Sequence, residues 1–291
     1  MAFAIPGTSD DIAGRVDLET CHPFFGSVLD ADQFVQAAVL PNLPAERERL
    51  RVIDFGGGQG LLLDRCINAL ARRGIECDAL VVDANPGFVA RALTRGVDAV
   101  VGEIAGYSGK PADIVLMRLV LHYNSAPVQQ AMLANARRHL AADGVFALQY
   151  ETGDTMACSL RNRIAGLCAD ATGSEARFWV EPDRLVSWLH EAGFTGVSVV
   201  NEPGYESDVV ALLRNAWQRQ SDTLSAAGLS EASFYRACTD IVFDSREGPD
   251  SGGVHSKDGR LALRTRYPLL CATADSPHTL PLSGGSLNVG C

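Results

Sequence analysis

At 291 residues, 47% of them hydrophobic, the chain is long enough for one large domain or a domain with a substantial lid. Its formal net charge of -10 and the lack of any dense basic run argue against a nucleic-acid binder. No apolar stretch is long enough to span a membrane, and the start M-A-F-A-I-P-G-T-S-D-D lacks the basic region and apolar core of a secretion signal, so a soluble cytoplasmic protein is expected.

In chain order, residues 1–49 form a head segment that is polar up to D-L-E-T-C-H-P-F-F-G and then carries an amphipathic helix over 28–40, ended by Pro41 and Pro44. Short apolar strands then alternate with helices, the pattern of a parallel sheet covered on both faces. Strands are expected at 50–55, 79–82, 98–101, 114–117 and 145–150, with helices at 61–73, 88–93 and 127–140 between them. The Asp143-Gly144 pair reads as the turn into the fifth strand. An irregular insertion, 151–180, holds a helix at 156–168. A helix from Pro182 closed by Gly193 and a strand at 195–200 follow. Two further helices, 207–226 and 230–244, make 202–260 a helical lid, with a Ser/Gly-rich loop at 248–259. Residues 261–274 read as one long strand in which Pro268 argues for an edge position or a bulge, and 275–291 as a disordered tail. The eight cysteines include no C-x-x-C pair, so no metal site is expected, and most read as small buried hydrophobes.

The most informative stretch is R-V-I-D-F-G-G-G-Q-G-L-L, residues 51–62: a strand, a glycine turn and the start of a helix. Glycine lets backbone approach a ligand closely, and the helix behind offers unpaired N–H groups. The spacing is Asp54-x-Gly56-x-Gly58-x-Gly60, neither the G-x-G-x-x-G of a dinucleotide site nor a P-loop, and no basic residue follows to meet a pyrophosphate. That disfavours a nicotinamide-dependent oxidoreductase. An acid at the strand end suits a ligand bearing an ammonium or sulfonium.

This motif resembles the first motif of the class I S-adenosylmethionine-dependent methyltransferases. The resemblance covers residues 50 to about 200 and the final strand. It implies a Rossmann-like α/β fold: a seven-stranded, mostly parallel sheet with an antiparallel last strand, helices on both faces, and here added helical lid insertions. It implies S-adenosyl-L-methionine as cofactor, held by Asp54, Gly56, Gly58 and Gly60, by Asp83 and Ala84 at the ribose, by Glu103 and Ile104 at the adenine, and by Arg118. Asp83 read without it could be a helix N-cap, as could Asn85, and Glu103 a solvated loop acid. In M-R-L-V-L-H-Y, residues 117–123, Arg118 and His122 either reach the ligand edge or bond loop backbone.

His122, Tyr123 and Glu151 are the catalytic candidates, with Glu151 the best carboxylate for an acceptor and His22, Tyr205, Tyr235 and His255 as rivals. The expected function is methyl transfer to a small-molecule metabolite, oxygen before nitrogen before sulfur, in a biosynthetic setting such as secondary metabolism. The alternative is the same fold and cofactor used for non-methylating chemistry. A homodimer is one assembly the sequence leaves open.

Overall fold

The computed structural model describes residues 28–44, 47–153, 155–172, 177–244 and 253–274. The first 27 residues, with His22, and the tail expected to be disordered lie outside them. The strands are β1 (Arg49–Phe55), β2 (Glu76–Asp83), β3 (Ala99–Val101), β4 (Ala112–Arg118), β5 (Leu140–Gln149), β6 (Gly196–Asn201), β7 (Gly204–Asp208), β8 (Val254–Lys257), β9 (Arg260–Arg266) and β10 (Leu269–Thr273). The helices are α1 (Val28–Phe34), α2 (Leu61–Ala71), α3 (Pro86–Thr94), α4 (Ala126–His139), α5 (Met156–Thr172), α6 (Pro182–Glu191), α7 (Val209–Ala226) and α8 (Glu231–Asp244).

Seven strands form one sheet in the order β3-β2-β1-β4-β5-β10-β6, with β10 antiparallel to both its neighbours and the pairs from β3 to β5 parallel. Successive side chains on a strand point to opposite faces. Ile53, Phe55, Val115, Met117, Phe146 and Leu148 accordingly pack with Met132 and Leu133 of α4 and Leu185, Trp188 and Leu189 of α6. Leu50, Val52, Ile114, Leu116, Val145 and Ala147 pack with Leu62, Leu63, Cys66 and Leu70 of α2 and with Phe34 of α1. From β1 the chain steps out through β2 to β3, then returns to place β4 on the other side of β1. That reversal leaves a crevice at the carboxyl ends of β1 and β4, where ligands of open parallel sheets bind.

The head helix is shorter than its apolar pattern implied: α1 gives way to a π turn, Val35–Val39, and a 3-10 turn, Leu40–Asn42, that contains Pro41. The Asp143-Gly144 pair lies within β5, which slips register against β4 there, instead of in a separate turn.

The largest departures lie beyond residue 201. A three-stranded antiparallel sheet, β7-β9-β8, is added to the stretch read as two helices and a loop. The expected long strand is two strands. Tyr267 N–H donates to Pro203 O at 3.0 Å, and Pro268 O accepts from Tyr150 N–H at 3.2 Å, so the chain changes sheets at the proline, which has no N–H to give a ladder. β8 falls inside the segment read as a loop, and Asp258 and Gly259, both at positive φ (50° and 74°), turn it into β9 as a tight hairpin. This small sheet shares an apolar core with α5, α7 and α8, built on Leu160, Leu213, Trp217, Phe234, Val254 and Leu263. Among the described residues no helix is long and apolar enough to cross a membrane, and no three His, Cys, Asp or Glu side chains gather as metal ligands would.

Candidate functional site

The turn after β1 is built so that glycine is required at several positions for different reasons. Gly56 and Gly58 have positive φ (69° and 55°). A Cβ on Gly56 would meet Val120 Cγ2 at 2.6 Å, and one on Gly57 would meet Asp54 Oδ2 at 2.6 Å. A Cβ on Gly58 would meet nothing within 4 Å, so this residue faces open space. Gly60 is the N-cap residue of α2 and has positive φ as well.

Asp83, at the tip of β2, turns onto this loop: Oδ2 accepts from Gly58 N–H at 2.9 Å and Oδ1 from Asn85 N–H at 2.8 Å. Asn85 caps α3, accepting from Gly87 and Phe88 N–H, so Asp83 is left to brace the turn. Burial raises the Asp83 carboxyl, the two backbone donors oppose that, and the nearby Glu103 charge adds to it. Glu103 is exposed just past β3 and precedes a 3-10 turn, Ile104–Gly106, pinned where Asn135 Nδ2 donates to Ile104 O at 2.6 Å. The Ile104 side chain packs into the sheet's core, and Ala84 is partly exposed beside Asp83.

Asp54 is fully buried, and neither of its carboxylate oxygens has a hydrogen-bond partner among the described residues. Burial, reinforced by the Asp83 charge and partly offset by Arg118, pushes it up to about 7. Arg118 itself donates from Nε to Gln149 Oε1 at 3.0 Å. An orphaned acid below a glycine turn, with open space above Gly58 and a second acid at its side, fits a nucleoside that carries positive charge.

The same orphaned charge has a consequence for stability. The folded chain holds the Asp54 proton more tightly than the unfolded chain, whose acid titrates near 3.8. Stability from this group is thus full below pH 3.8 and lost as pH rises through about 7. Asp54→Asn is expected to stabilise the ligand-free protein at pH 8 by on the order of a few kcal/mol, and by less at pH 5.5. Thermal melts at the two pH values check this. An equal gain at both would show that Asp54 carries no strained charge.

The acceptor side lies past β4 and β5. Leu119 leaves β4 at φ 57°, unusual for a leucine, with its N–H on Gln149 O at 2.8 Å, and Val120 then packs over Gly56. This brings His122 and Tyr123 to the crevice rim. His122 is 3% exposed, its Nδ1 has no partner among the described residues, and its ring stacks on Trp179 at 6.0 Å. Burial and the charges of Arg177 and Arg161 hold it well below the usual histidine range, so it is neutral. The Tyr123 ring lies under Arg177, 4.4 Å from guanidinium carbon to ring centroid.

Glu151 is not the free carboxylate that its position at the β5 tip implied. It is buried, ion-paired with Arg161 of α5, and accepts from Trp179 Nε1 at 3.2 Å. Both of its carboxylate oxygens are thus engaged within the protein instead of being turned to an acceptor. Of its rivals, Tyr205 packs with Leu119 and Tyr267, Tyr235 joins the α5–α8 core beside Phe234, and His255 lies 3.6 Å from Glu206 on the small sheet.

Arg161, Arg177, Trp179 and Tyr267 were not singled out by the sequence. They come from stretches without a motif, and nothing in their spacing sets them apart.

The family profile described as "Methyltransferase domain" matches residues 29–199, more than half of the chain. Trans-aconitate 2-methyltransferase of Mycobacterium ulcerans is 36% identical over 86 residues, 29% of this chain and 31% of that protein. The protein of the same name from Mycobacterium tuberculosis is 34% identical over 105 residues, 36% and 38% of the two chains. The chain thus matches about a third of these relatives' length, 31% of one and 38% of the other. The solved structure of the BH2331 protein of Bacillus halodurans superposes with a TM-score of 0.60 at 17% identity, over 85% of this chain and 100% of that one, a likeness of fold. With more than half the chain matched by the family profile, and with the sheet order and the acid-glycine turn described above, the chain belongs to the class I S-adenosylmethionine-dependent methyltransferases.

Proposed function

We propose that the protein moves the methyl group of S-adenosylmethionine to a small organic acceptor, oxygen ahead of nitrogen and sulfur. The observation that carries this is Asp83 braced on Gly58 N–H beside the open space over the turn, with Asp54 orphaned beneath. Asp54, Gly56, Gly58, Gly60, Asp83, Ala84, Glu103 and Ile104 would line the cofactor, with Arg118 supporting Asp54 through its charge. When bound, the cofactor supplies an electrophilic methyl on a sulfonium. The chain's own part is then chiefly to align the acceptor and keep out water. His122 is the unpartnered group at the acceptor side, Tyr123 a wall, and Glu151 a positioning residue that acts through Arg161 and Trp179. The relatives named for trans-aconitate, an acid whose nucleophilic atoms are oxygens, favour oxygen as the acceptor atom. The net charge of -10 favours a small acceptor over a nucleic acid.

The test is calorimetry with S-adenosylhomocysteine and with NAD, followed by incubation of the protein with methyl-labelled cofactor and a metabolite extract. The expected result is binding of the first ligand only, weakened by about 1–3 kcal/mol in Asp83→Ala through loss of a charged acceptor, and label in a small organic product. NAD binding alone would reverse the reading, and cofactor binding without labelled product would point to non-methylating chemistry.

A further inference from the structure

The cluster past β4 and β5 has an uneven charge. Glu151 and Arg161 neutralise each other, and His122 is neutral. Arg177 is left over: its guanidinium rests on the Tyr123 ring and has no ion pair or hydrogen bond to any described residue. Its backbone, in contrast, is tied down. Arg177 N–H donates to Asn162 Oδ1 at 3.1 Å, and Asn162 Nδ2 returns a bond to Arg177 O at 3.0 Å. The next residue is held on both sides, with Phe178 N–H on His122 O at 3.3 Å and Gln129 Nε2 on Phe178 O at 2.7 Å. A fixed main chain presenting an unmet guanidinium is a preorganised anion receptor, and the buried, unpartnered His122 Nδ1 adds a second polar group to the same rim.

We propose that the acceptor is a small organic acid whose non-reacting carboxylate docks on the Arg177 guanidinium, with the His122 imidazole beside it. This rests on the acceptor site proposed above. Glu151, the carboxylate of this cluster, is already taken by Arg161 and Trp179, so an amine acceptor would bring its positive charge towards Arg177 with no free acid beside it. An acid also needs no base, because it arrives ionised, which suits a cluster whose one carboxylate is already occupied. Arg177 serves a remote carboxylate better than the reacting oxygen. Held on the reacting oxygen, it would stabilise the charged ground state more than a transition state in which that charge is being lost.

The experiment uses the full chain saturated with S-adenosylhomocysteine and titrated with succinate, glutarate and citrate, with dimethyl succinate and 1,4-diaminobutane as controls, read by tryptophan fluorescence and calorimetry. The acids are expected to bind and the controls not. Arg177→Gln weakens acid binding by about tenfold or more and Arg177→Lys by less, with S-adenosylhomocysteine affinity and melting temperature unchanged. Equal acid binding in Arg177→Gln, no acid bound by the wild type, or preference for the diamine overturns the proposal. Failure of S-adenosylhomocysteine to bind would count against the cofactor reading instead, and the same titration without it would still judge Arg177.

Discussion

Gly58→Val is expected to abolish cofactor binding, with no heat detected when S-adenosylhomocysteine is titrated into the variant. Two effects act at this position. The backbone has φ 55°, where a β-branched residue costs roughly 1–2 kcal/mol or more. The side chain would also project into the open space above the turn, because nothing lies within 4 Å of its Cβ. That missing contact separates the two consequences. The protein loses only the conformational term, while the ligand loses its place, so the variant stays folded and fails to bind. Gly58 N–H also donates to Asp83 Oδ2, so a shifted turn would release the acid that braces it. Gly56→Ala makes the contrast, since its Cβ collides with Val120 at 2.6 Å and its main cost falls on folding. Normal affinity in Gly58→Val would place the ligand elsewhere.

The parallel core was legible because each central strand is a short apolar run that ends in a polar tip at the same edge. Its amino ends were less so. β2 begins at Glu76, not at the start of its apolar run, because Glu76 and Asp78 are partnered across the strand by Arg49 and Arg51, the latter pair at 2.5 Å. The small sheet escaped for the same reason. Tyr205, Glu206 and Ser207 show no apolar run, and β7 is held by backbone pairing to β9 with a Glu206–Lys257 ion pair at its side. Two local signals pointed to it: Asp258-Gly259 as a hairpin turn and Pro268 as a break. Within the site, Asp54 and Asp83 were readable because strand tips and glycine spacing are local. Arg161 and Arg177 were not. Their roles depend on contacts with Glu151 and with His122 and Tyr123, made across the fold, which no spacing in the sequence encodes.

Arg161→Met is expected to destabilise the protein by about 3–5 kcal/mol, the usual cost of stranding one member of a buried ion pair. Glu151 is 4% exposed, and without Arg161 only the Trp179 N–H would face its charge. The guanidinium also reaches Thr265 Oγ1 at 3.4 Å in β9 and hydrogen-bonds the buried Tyr267 hydroxyl, so one side chain joins the β5 tip, α5 and the small sheet. Losing it should therefore loosen the lid before the core: faster amide exchange in β7 and β9, little change in β1 and β4. The double variant Arg161→Met/Glu151→Leu removes both charges and is expected to recover much of the loss, because the single variant's cost lies in the abandoned carboxylate more than in the missing attraction. Denaturant melts of the four proteins in this cycle measure it. Wild-type stability in Arg161→Met, or a double variant no better than the single, would mean that the Glu151 charge is met by solvent. Cofactor affinity should survive in both variants, since Gly58 and Asp83 are untouched. A joint loss of stability and cofactor binding would instead tie the Arg161 network to the turn through Gln149, which bonds Tyr267 O on one side and Arg118 on the other.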